Sequence, residues 1–226
     1  MIKAVIFDLD NTLLDFMKMK SLSINAAVNG MIKAGMLIDK DKSIKEIYNI
    51  YETKGYEHQK VFNEFIVNNN GVINYKYLAA AIVEYKKAKE KSLNLYDDVV
   101  PTLESLVKMN LKLGIVSDAP SREAWIRLYM LNLHDKFEDV VTFNDTGFHK
   151  PAKQPFIRIS KQLNVSFKEC MMIGDWPDRD IKGAKQVGMK TAFAKYGSTE
   201  KISNSGADHD LDSLSELVDI IKIYNI

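Results

Sequence analysis

The chain has 226 residues, 46% of them apolar, and its 31 basic and 30 acidic residues leave a formal net charge of +1. A disordered chain needs fewer apolar residues and a larger net charge, and a nucleic-acid-binding protein usually carries a basic excess, so we expect a folded protein with no nucleic-acid partner. No stretch approaches the roughly 18 uninterrupted apolar residues of a membrane span, and the first residues lack the apolar segment of a signal peptide. These features predict a cytoplasmic protein with no membrane partner, and the single cysteine, Cys170, is predicted to be a buried core thiol.

The first predicted element is a strand over residues 2–7, a nearly continuous apolar run that stops at Asp8. Such runs are typical of strands that are buried on both faces of a parallel sheet. Similar runs follow at 112–117, 138–143, 169–174 and 190–196, and segments with helical periodicity lie between or after them at 121–132, 153–164, 178–187 and 213–224. This alternation predicts an α/β fold, a Rossmann-like parallel sheet with helices on both faces.

Residues 16–95 interrupt the alternation, because they contain helical segments at 17–34, 40–54, 56–68 and 75–92 and few strand-like runs. We therefore expect a helical insert over 16–95 between two parts of an α/β core, 1–15 and 96–226. The insert has 13 lysines against 8 acidic residues, a net charge of +5, while the remainder has 18 basic and 22 acidic residues, a net charge of −4. The lysines are explained either as solvated helix faces or as a charge that attracts an anionic substrate.

Polar side chains follow the carboxyl ends of the predicted strands, where open α/β sheets bind their ligands. They are Asp8, Asp10 and Thr12 after the first strand, Ser117 and Asp118 after the second, Lys150 after the third, and Asp175, Asp178 and Asp180 after the fourth. Gathered carboxylates need a counter-charge, which a hard divalent cation such as Mg²⁺ supplies, and a lysine and a hydroxyl suit phosphate oxygens. A carboxylate can also act as a nucleophile that divides a hydrolysis into two displacements.

Four segments resemble the four motifs of the haloacid dehalogenase superfamily: DLDNT at 8–12, Ser117, Lys150 and GDWPDRD at 174–180. The similarity covers essentially the whole chain, and the insert resembles the helical type-1 cap of that superfamily. Two stretches of the cap, at 54–62 and 81–89, are similar to a subgroup of glyceraldehyde-3-phosphate phosphatases, a similarity less specific than that of the motifs.

The resemblance implies a Mg²⁺-dependent phosphatase that acts through an aspartyl-phosphate. It makes Asp8 the nucleophile, Asp10 the proton donor and acceptor, and Lys150 the cation that offsets the Asp8 charge. It assigns the phosphate site to Thr12, which supports the first motif, and to Ser117 and Lys150. It assigns the metal to the carboxylates of Asp8 and Asp175 and the backbone carbonyl of Asp10, and it makes Asp180, rather than Asp178, the residue that orients Lys150 or a metal-bound water.

Asp10 favours a phosphatase over a dehalogenase, because the dehalogenases of the superfamily lack an acid at this position and an alkoxide leaving group needs a proton donor. We expect a small phosphorylated metabolite as the substrate, in the class of triose phosphates, other sugar phosphates or phosphoglycolate. The alternative is a 2-haloacid dehalogenase or a phosphomutase on the same fold, and a third possibility is a non-catalytic phosphate- or protein-binding module. The oligomeric state stays open.

Substrate contacts are expected from the residues after the first motif and from a turn of the cap at 55–58. The candidates are Phe16, Lys20, Tyr56 and His58, together with Trp176 of the fourth motif. The alternative for His58 is an exposed residue at a helix start, and Trp176 either forms an apolar wall or packs its own loop. Asp118 stands where the superfamily often has Asn, and it either leads into the next helix or binds a metal or a backbone amide.

Overall fold

The computed structural model describes residues 1–226 and divides the chain into two compact units, 1–15 with 94–226 and 16–93. Asn94 and Leu95, which we expected in the insert, belong to the first unit. The reason lies in the backbone: the Asp15 amide donates to the Asn94 carbonyl over 3.3 Å, and Leu14 forms an antiparallel bridge with Leu95. None of the helices combines the length and the apolar character that a membrane span requires.

The first unit is built on a six-stranded parallel sheet with the order β3-β2-β1-β4-β5-β6. Its strands are β1 (Ala4–Phe7), β2 (Lys112–Val116), β3 (Asp139–Val141), β4 (Cys170–Gly174), β5 (Lys190–Ala194) and β6 (His209–Leu211). The predicted α/β sheet is therefore confirmed. All residues of β1 and β4 are buried, as expected for central strands of a sheet covered on both faces.

Six helices of this unit lie in the connections between the strands and after the last one. They are α5 (Val99–Lys108), α6 (Ser121–Met130), α7 (Phe143–Thr146), α8 (Lys153–Gln162), α9 (Lys182–Val187) and α10 (Glu216–Tyr224). On one sheet face, alternate strand residues such as Ala4 and Ile6 pack against Phe156 and Ile159 of α8. Cys170 is fully buried in the same cluster, which confirms it as a core thiol.

The second unit consists of four helices, α1 (Phe16–Lys33), α2 (Lys40–Lys54), α3 (Val61–Asn70) and α4 (Tyr75–Ser92). Its core is a cluster of side chains from all four helices, including Val28, Ile47 and Phe65. The third helix begins at Val61 rather than at residue 56, because residues 55–58 form a turn in which the His58 amide donates to the Gly55 carbonyl. Helices α1 and α4 approach closely at Gly30, where a Cβ atom would lie 2.9 Å from the Ala80 carbonyl oxygen.

Candidate active site

The site lies at the carboxyl ends of β1 and β4, the neighbouring central strands on which the order of the sheet reverses. Asp8 continues β1, and its amide donates to the Ile173 carbonyl of β4 over 2.8 Å. The chain then turns through Asn11, whose φ of 56° is a left-handed conformation that Asn tolerates better than most residues. This turn keeps Asp8 and Thr12 buried and leaves Asp10 partly exposed.

Lys150 is the cation of the site and is itself buried. Its ammonium group contacts Asp8 Oδ1 at 2.5 Å, Asp180 Oδ1 at 2.6 Å and the Val116 carbonyl oxygen at 2.9 Å. Burial alone would lower the pKa of Lys150, but the nearby charges of Asp180, Asp8 and Asp118 outweigh it and raise that pKa. Lys150 therefore stays charged and brings the first and fourth motifs together.

Three buried carboxylates, those of Asp8, Asp175 and Asp180, each offer an oxygen within 4.8 Å of the other two. Burial, together with the neighbouring charge of Asp8, raises the pKa of both Asp175 and Asp180, although Lys150 opposes the shift. The single positive charge of Lys150 does not balance the three carboxylates, so the ionised cluster carries an excess of negative charge. Such an oxygen-only donor set is the kind that Mg²⁺ and Ca²⁺ prefer, so these residues fit a divalent cation.

Asp180 is held from two sides, which suits the role predicted for it next to Lys150. Its Oδ2 accepts a hydrogen bond from the Trp176 amide over 3.0 Å, and its Oδ1 faces Lys150. The carboxyl group packs directly on Gly174, where a Cβ atom would overlap it. The glycine of the fourth motif is thus required by this close approach, whereas Asp178 is exposed.

Asp118 binds a backbone amide, which decides between the alternatives left open for it. Its Oδ1 accepts from the Lys150 amide over 2.8 Å, and its Oδ2 lies 3.3 Å from Arg179 Nη1. It makes no cap for α6, whose N-cap position is Pro120. Asp118 therefore fixes the loop that carries Lys150. Its charge faces a guanidinium.

Ser117 and Trp176 complete the polar loops of the first unit. Ser117 is buried, its amide donates to the Val141 carbonyl over 2.9 Å, and its Oγ accepts from the Ala119 amide over 3.1 Å. The Trp176 side chain is 48% exposed, and the Arg179 guanidinium stacks on its ring at 3.9 Å. Trp176 thus packs on its own loop and also presents a surface to solvent.

Four candidates for substrate contact lie in the second unit, and three of them meet there. Lys20 is buried, its Nζ donates to the Tyr56 carbonyl over 2.6 Å, and it lies 3.9 Å from the centre of the Tyr51 ring. The Phe16 ring meets the Tyr56 ring edge-on at 6.3 Å. The imidazole of His58 instead contacts Glu64, since its Nε2 lies 2.8 Å from Glu64 Oε1.

One residue of the site was missed by the sequence analysis. Arg127 of α6 has a side chain that is 1% exposed, and its Nη1 lies 2.9 Å from Asp10 Oδ2. The available signal was its position, three residues after Ala124 and one before Leu128, on the buried face of a helix. A buried arginine requires an anionic partner, but helical periodicity does not tell which one.

Similarity to known proteins gives the family of the chain. The model of the haloacid dehalogenase-like hydrolases matches residues 5–194. The chain belongs to the haloacid dehalogenase-like hydrolase family. It is 33% identical to a glyceraldehyde 3-phosphate phosphatase of Methanocaldococcus jannaschii, with 98% of each chain covered, and 32% identical to one of Methanopyrus kandleri, also with 98% of each covered.

A solved structure of the same family has the same fold over its whole length. It is a haloacid dehalogenase phosphatase from Thermococcus onnurineus, with 28% identity, a TM-score of 0.73, and coverage of 97% of this chain and 98% of that one. The resemblance to this superfamily, drawn from the four motifs, is thus confirmed for the whole chain.

Proposed function

We propose that the protein is a Mg²⁺-dependent phosphatase that hydrolyses a small phosphate ester through an aspartyl-phosphate on Asp8. The observation that carries the proposal is the contact of the buried Asp8 carboxylate with Lys150, beside Asp175 and Asp180. The relatives named glyceraldehyde 3-phosphate phosphatase, similar over nearly the whole chain, support the phosphatase class.

The proposed metal ligands are the carboxylates of Asp8 and Asp175 and the backbone carbonyl of Asp10. The raised pKa of Asp175 supports this assignment, because burial and the charges of Asp8 and Asp180 outweigh the charge of Lys150. When bound, Mg²⁺ would neutralise negative charge on the phosphoryl group as it is transferred. The proposal places Asp180 behind Lys150, to orient it.

In the proposed mechanism the residues of this chain act in two displacements. Asp8 attacks phosphorus and forms an O–P bond while the ester O–P bond breaks, and Asp10 gives a proton to the leaving oxygen. A water then attacks the same phosphorus, Asp10 takes a proton from it, and the bond to Asp8 breaks. Lys150 and Ser117 hold phosphate oxygens, and Thr12 supports the loop of the first motif.

For the substrate we propose a triose phosphate, another sugar phosphate or phosphoglycolate. The names of the relatives favour the first of these. We further propose that the helical unit acts as a lid, with Phe16, Lys20, Tyr56 and His58 as contacts to the substrate and Trp176 as a wall on the core side. A lid excludes water and completes such a site.

Two of the alternatives, the dehalogenase and the non-catalytic binding module, are less well supported. A dehalogenase has no use for a proton donor at position 10, whereas Asp10 is present and is held by an ion pair. A non-catalytic binding module would not require the intact set of Asp8, Lys150 and Asp175. Formation of a stable beryllofluoride adduct without any turnover would favour the binding module, and release of halide from a 2-haloacid would favour the dehalogenase.

A screen of phosphate esters with Mg²⁺ and with EDTA tests the proposal. We expect Mg²⁺-dependent release of phosphate from at least one sugar phosphate, and we expect the Asp8→Asn variant to lose activity by at least about 10³-fold, since it removes the nucleophile. Asp178→Asn is the matched control, because Asp178 is an exposed acid next to the same site and its replacement should change little. Absence of turnover in the folded wild type would contradict the proposed function.

A further inference from the structure

Arg127 is a buried cation that none of the proposed steps uses. It lies on the inward face of α6, the helix that follows Ser117, and its side chain is 1% exposed. An arginine is almost never buried without a partner, because an unpaired charge in the interior is strongly destabilising. Its Nη1 lies 2.9 Å from Oδ2 of Asp10, a residue 117 positions earlier in the chain.

The start of α6 is fixed to the segment that follows β3. The Ser121 amide donates to Asn144 Oδ1 over 2.8 Å, and the Ser121 and Thr142 hydroxyls lie 2.6 Å apart. Ser117 lies four residues before the first residue of α6, so one short segment carries both the hydroxyl proposed to bind phosphate and the guanidinium that reaches Asp10. The orientation of the Asp10 side chain is thereby tied to the phosphate site.

We propose that Arg127 is a positioning residue for proton transfer, which fixes Asp10 so that its Oδ1 exchanges the proton. The proposal rests on the proposed function, in which Asp10 is the proton donor and acceptor. A guanidinium only donates hydrogen bonds, and the protonated oxygen of a carboxyl group is its weaker acceptor, so the oxygen of Asp10 that faces Arg127 is the less favourable site for the proton. Arg127 faces Oδ2, and we therefore assign the exchanged proton to Oδ1.

The same oxygen then serves both displacements. In the first, Asp10 Oδ1 gives its proton to the ester oxygen as the bond from that oxygen to phosphorus breaks and the bond to Asp8 forms. In the second, Oδ1 takes a proton from the water whose oxygen bonds to phosphorus as the bond to Asp8 breaks. Each cycle returns the proton to Oδ1, and Arg127 stays charged throughout because its guanidinium does not lose a proton in proteins.

Comparison of two leaving groups tests the positioning role. Glyceraldehyde 3-phosphate releases an alkoxide that needs a proton, whereas p-nitrophenyl phosphate releases a stable phenolate that does not. We expect Arg127→Met to lower kcat/KM for glyceraldehyde 3-phosphate by about 10²-fold, the range of a lost general acid, and for p-nitrophenyl phosphate by less than about threefold. The quantity kcat/KM is used because it reports the steps up to the first phosphoryl transfer.

Three further variants control the measurement. Arg122→Met removes an arginine of the same helix whose side chain is 72% exposed, and it should leave both values unchanged. Arg127→Lys keeps a cation and should retain more of the alkyl-ester activity than Arg127→Met does. In the Asp10→Asn background, Arg127→Met should have no further selective effect on the alkyl ester. Equal losses for both esters, which a purely structural role would produce, would overturn the proposal.

A measurement without substrate separates this proposal from the proposed function. Unfolding of the wild type, Arg127→Met, Asp10→Asn and the double variant forms a cycle, and we expect the double variant to be less destabilised than the two single variants together. Independent effects would overturn the proposal even if the enzyme is a phosphatase. A coupled cycle in a protein that hydrolyses no phosphate ester would instead overturn the proposed function and leave the Arg127–Asp10 pair in place.

Discussion

At the scale of single residues, the ammonium group of Lys150 is the centre of the site. It has three N–H bonds, and three acceptors of the protein surround it, namely Asp8, Asp180 and the Val116 carbonyl. In the proposed mechanism, a phosphate oxygen that binds Lys150 would replace one of these acceptors. If it replaces Asp8, the binding of substrate would also release the Asp8 carboxylate for attack.

The raised pKa of Asp175 predicts how the stability of the metal-free protein depends on pH. Burial, with the charges of Asp8 and Asp180, is the cause of the shift. A folded-state pKa above the unfolded value of about 4 adds stability at acidic pH, and this contribution is lost as the pH rises towards the folded value. In EDTA we therefore expect the free energy of unfolding to fall between about pH 5 and pH 9.

The variant Asp175→Asn tests this prediction. Over the same pH range, the free energy of unfolding of this variant should fall less than that of the wild type. The difference between the two falls should be at least about 1.4 kcal/mol, which corresponds to one pKa unit. Unfolding by urea at several pH values measures the effect, and Asp178→Asn, an exposed acid of the same loop, is the control that should follow the wild type. A parallel fall in the wild type and in Asp175→Asn would show that Asp175 titrates normally.

Residues of the site differ in how far the sequence could predict them. Asp8, Ser117 and Asp175 each follow a strand of one parallel sheet, and their proximity follows from that topology alone. The partners of Asp118 and Arg127 were not predictable in this way, because they depend on how a loop and a helix pack, which the strand pattern does not determine.

At the scale of elements, the segment after β5 supports the loop of the first motif. The Tyr196 hydroxyl donates to the Thr12 carbonyl over 2.7 Å, and its ring packs edge-on against Tyr96 at 5.0 Å. Gly197 packs so closely on the Asn11 carbonyl that a Cβ atom there would overlap the oxygen. Tyr196 and Gly197 thus support the loop of the first motif through its residues Asn11 and Thr12.

The variant Gly197→Ala should therefore displace this loop without unfolding the sheet. We expect kcat to fall by about 10²-fold, the cost of misplacing catalytic groups by about 1 Å, while the circular dichroism spectrum stays unchanged. Thr199→Ala, an exposed position two residues later, is the control. Wild-type kcat in Gly197→Ala would show that the loop has other sufficient support.

Elements with a strong pattern were predicted, whereas weak ones such as β6 and α5 were not. The buried apolar run of β1 and the amphipathic α10 were recognised. The strand β6 was not predicted, because its three residues, His209–Leu211, contain a single apolar side chain. Helix α5 was not predicted, because it begins with two valines and a proline, which are poor helix formers. Its apolar face is recognised only once the structure shows which of its residues are buried.

At the scale of the whole molecule, the two units carry charges of opposite sign. Residues 16–93 contain the same charged residues as the predicted insert, so their net charge is +5, and the remainder carries −4. If the helical unit is the lid, its lysines attract an anionic ester, and we expect kcat/KM to fall several-fold when the salt concentration rises from about 0.02 to 0.5 M.

A charge variant of the helical unit isolates this effect. Lys40, Lys42 and Lys45 of α2 are exposed, and replacing all three by Gln should weaken the dependence of kcat/KM on salt while leaving the free energy of unfolding nearly unchanged. The control is the same variant assayed at high salt, where it should match the wild type. Identical salt dependence in both proteins would assign the lysines to solvation alone.

The backbone contact between Asp15 and Asn94 has a consequence for how such a protein can evolve. The chain leaves the sheet unit after Asp15 and returns to it at Asn94, and a hydrogen bond joins these two residues. The residues between them therefore form a closed loop whose two ends are fixed on the sheet unit. The entropy cost of closing a loop grows only slowly with its length. Segments of other lengths can therefore be exchanged at this point at little cost to the sheet and to the residues gathered at its edge.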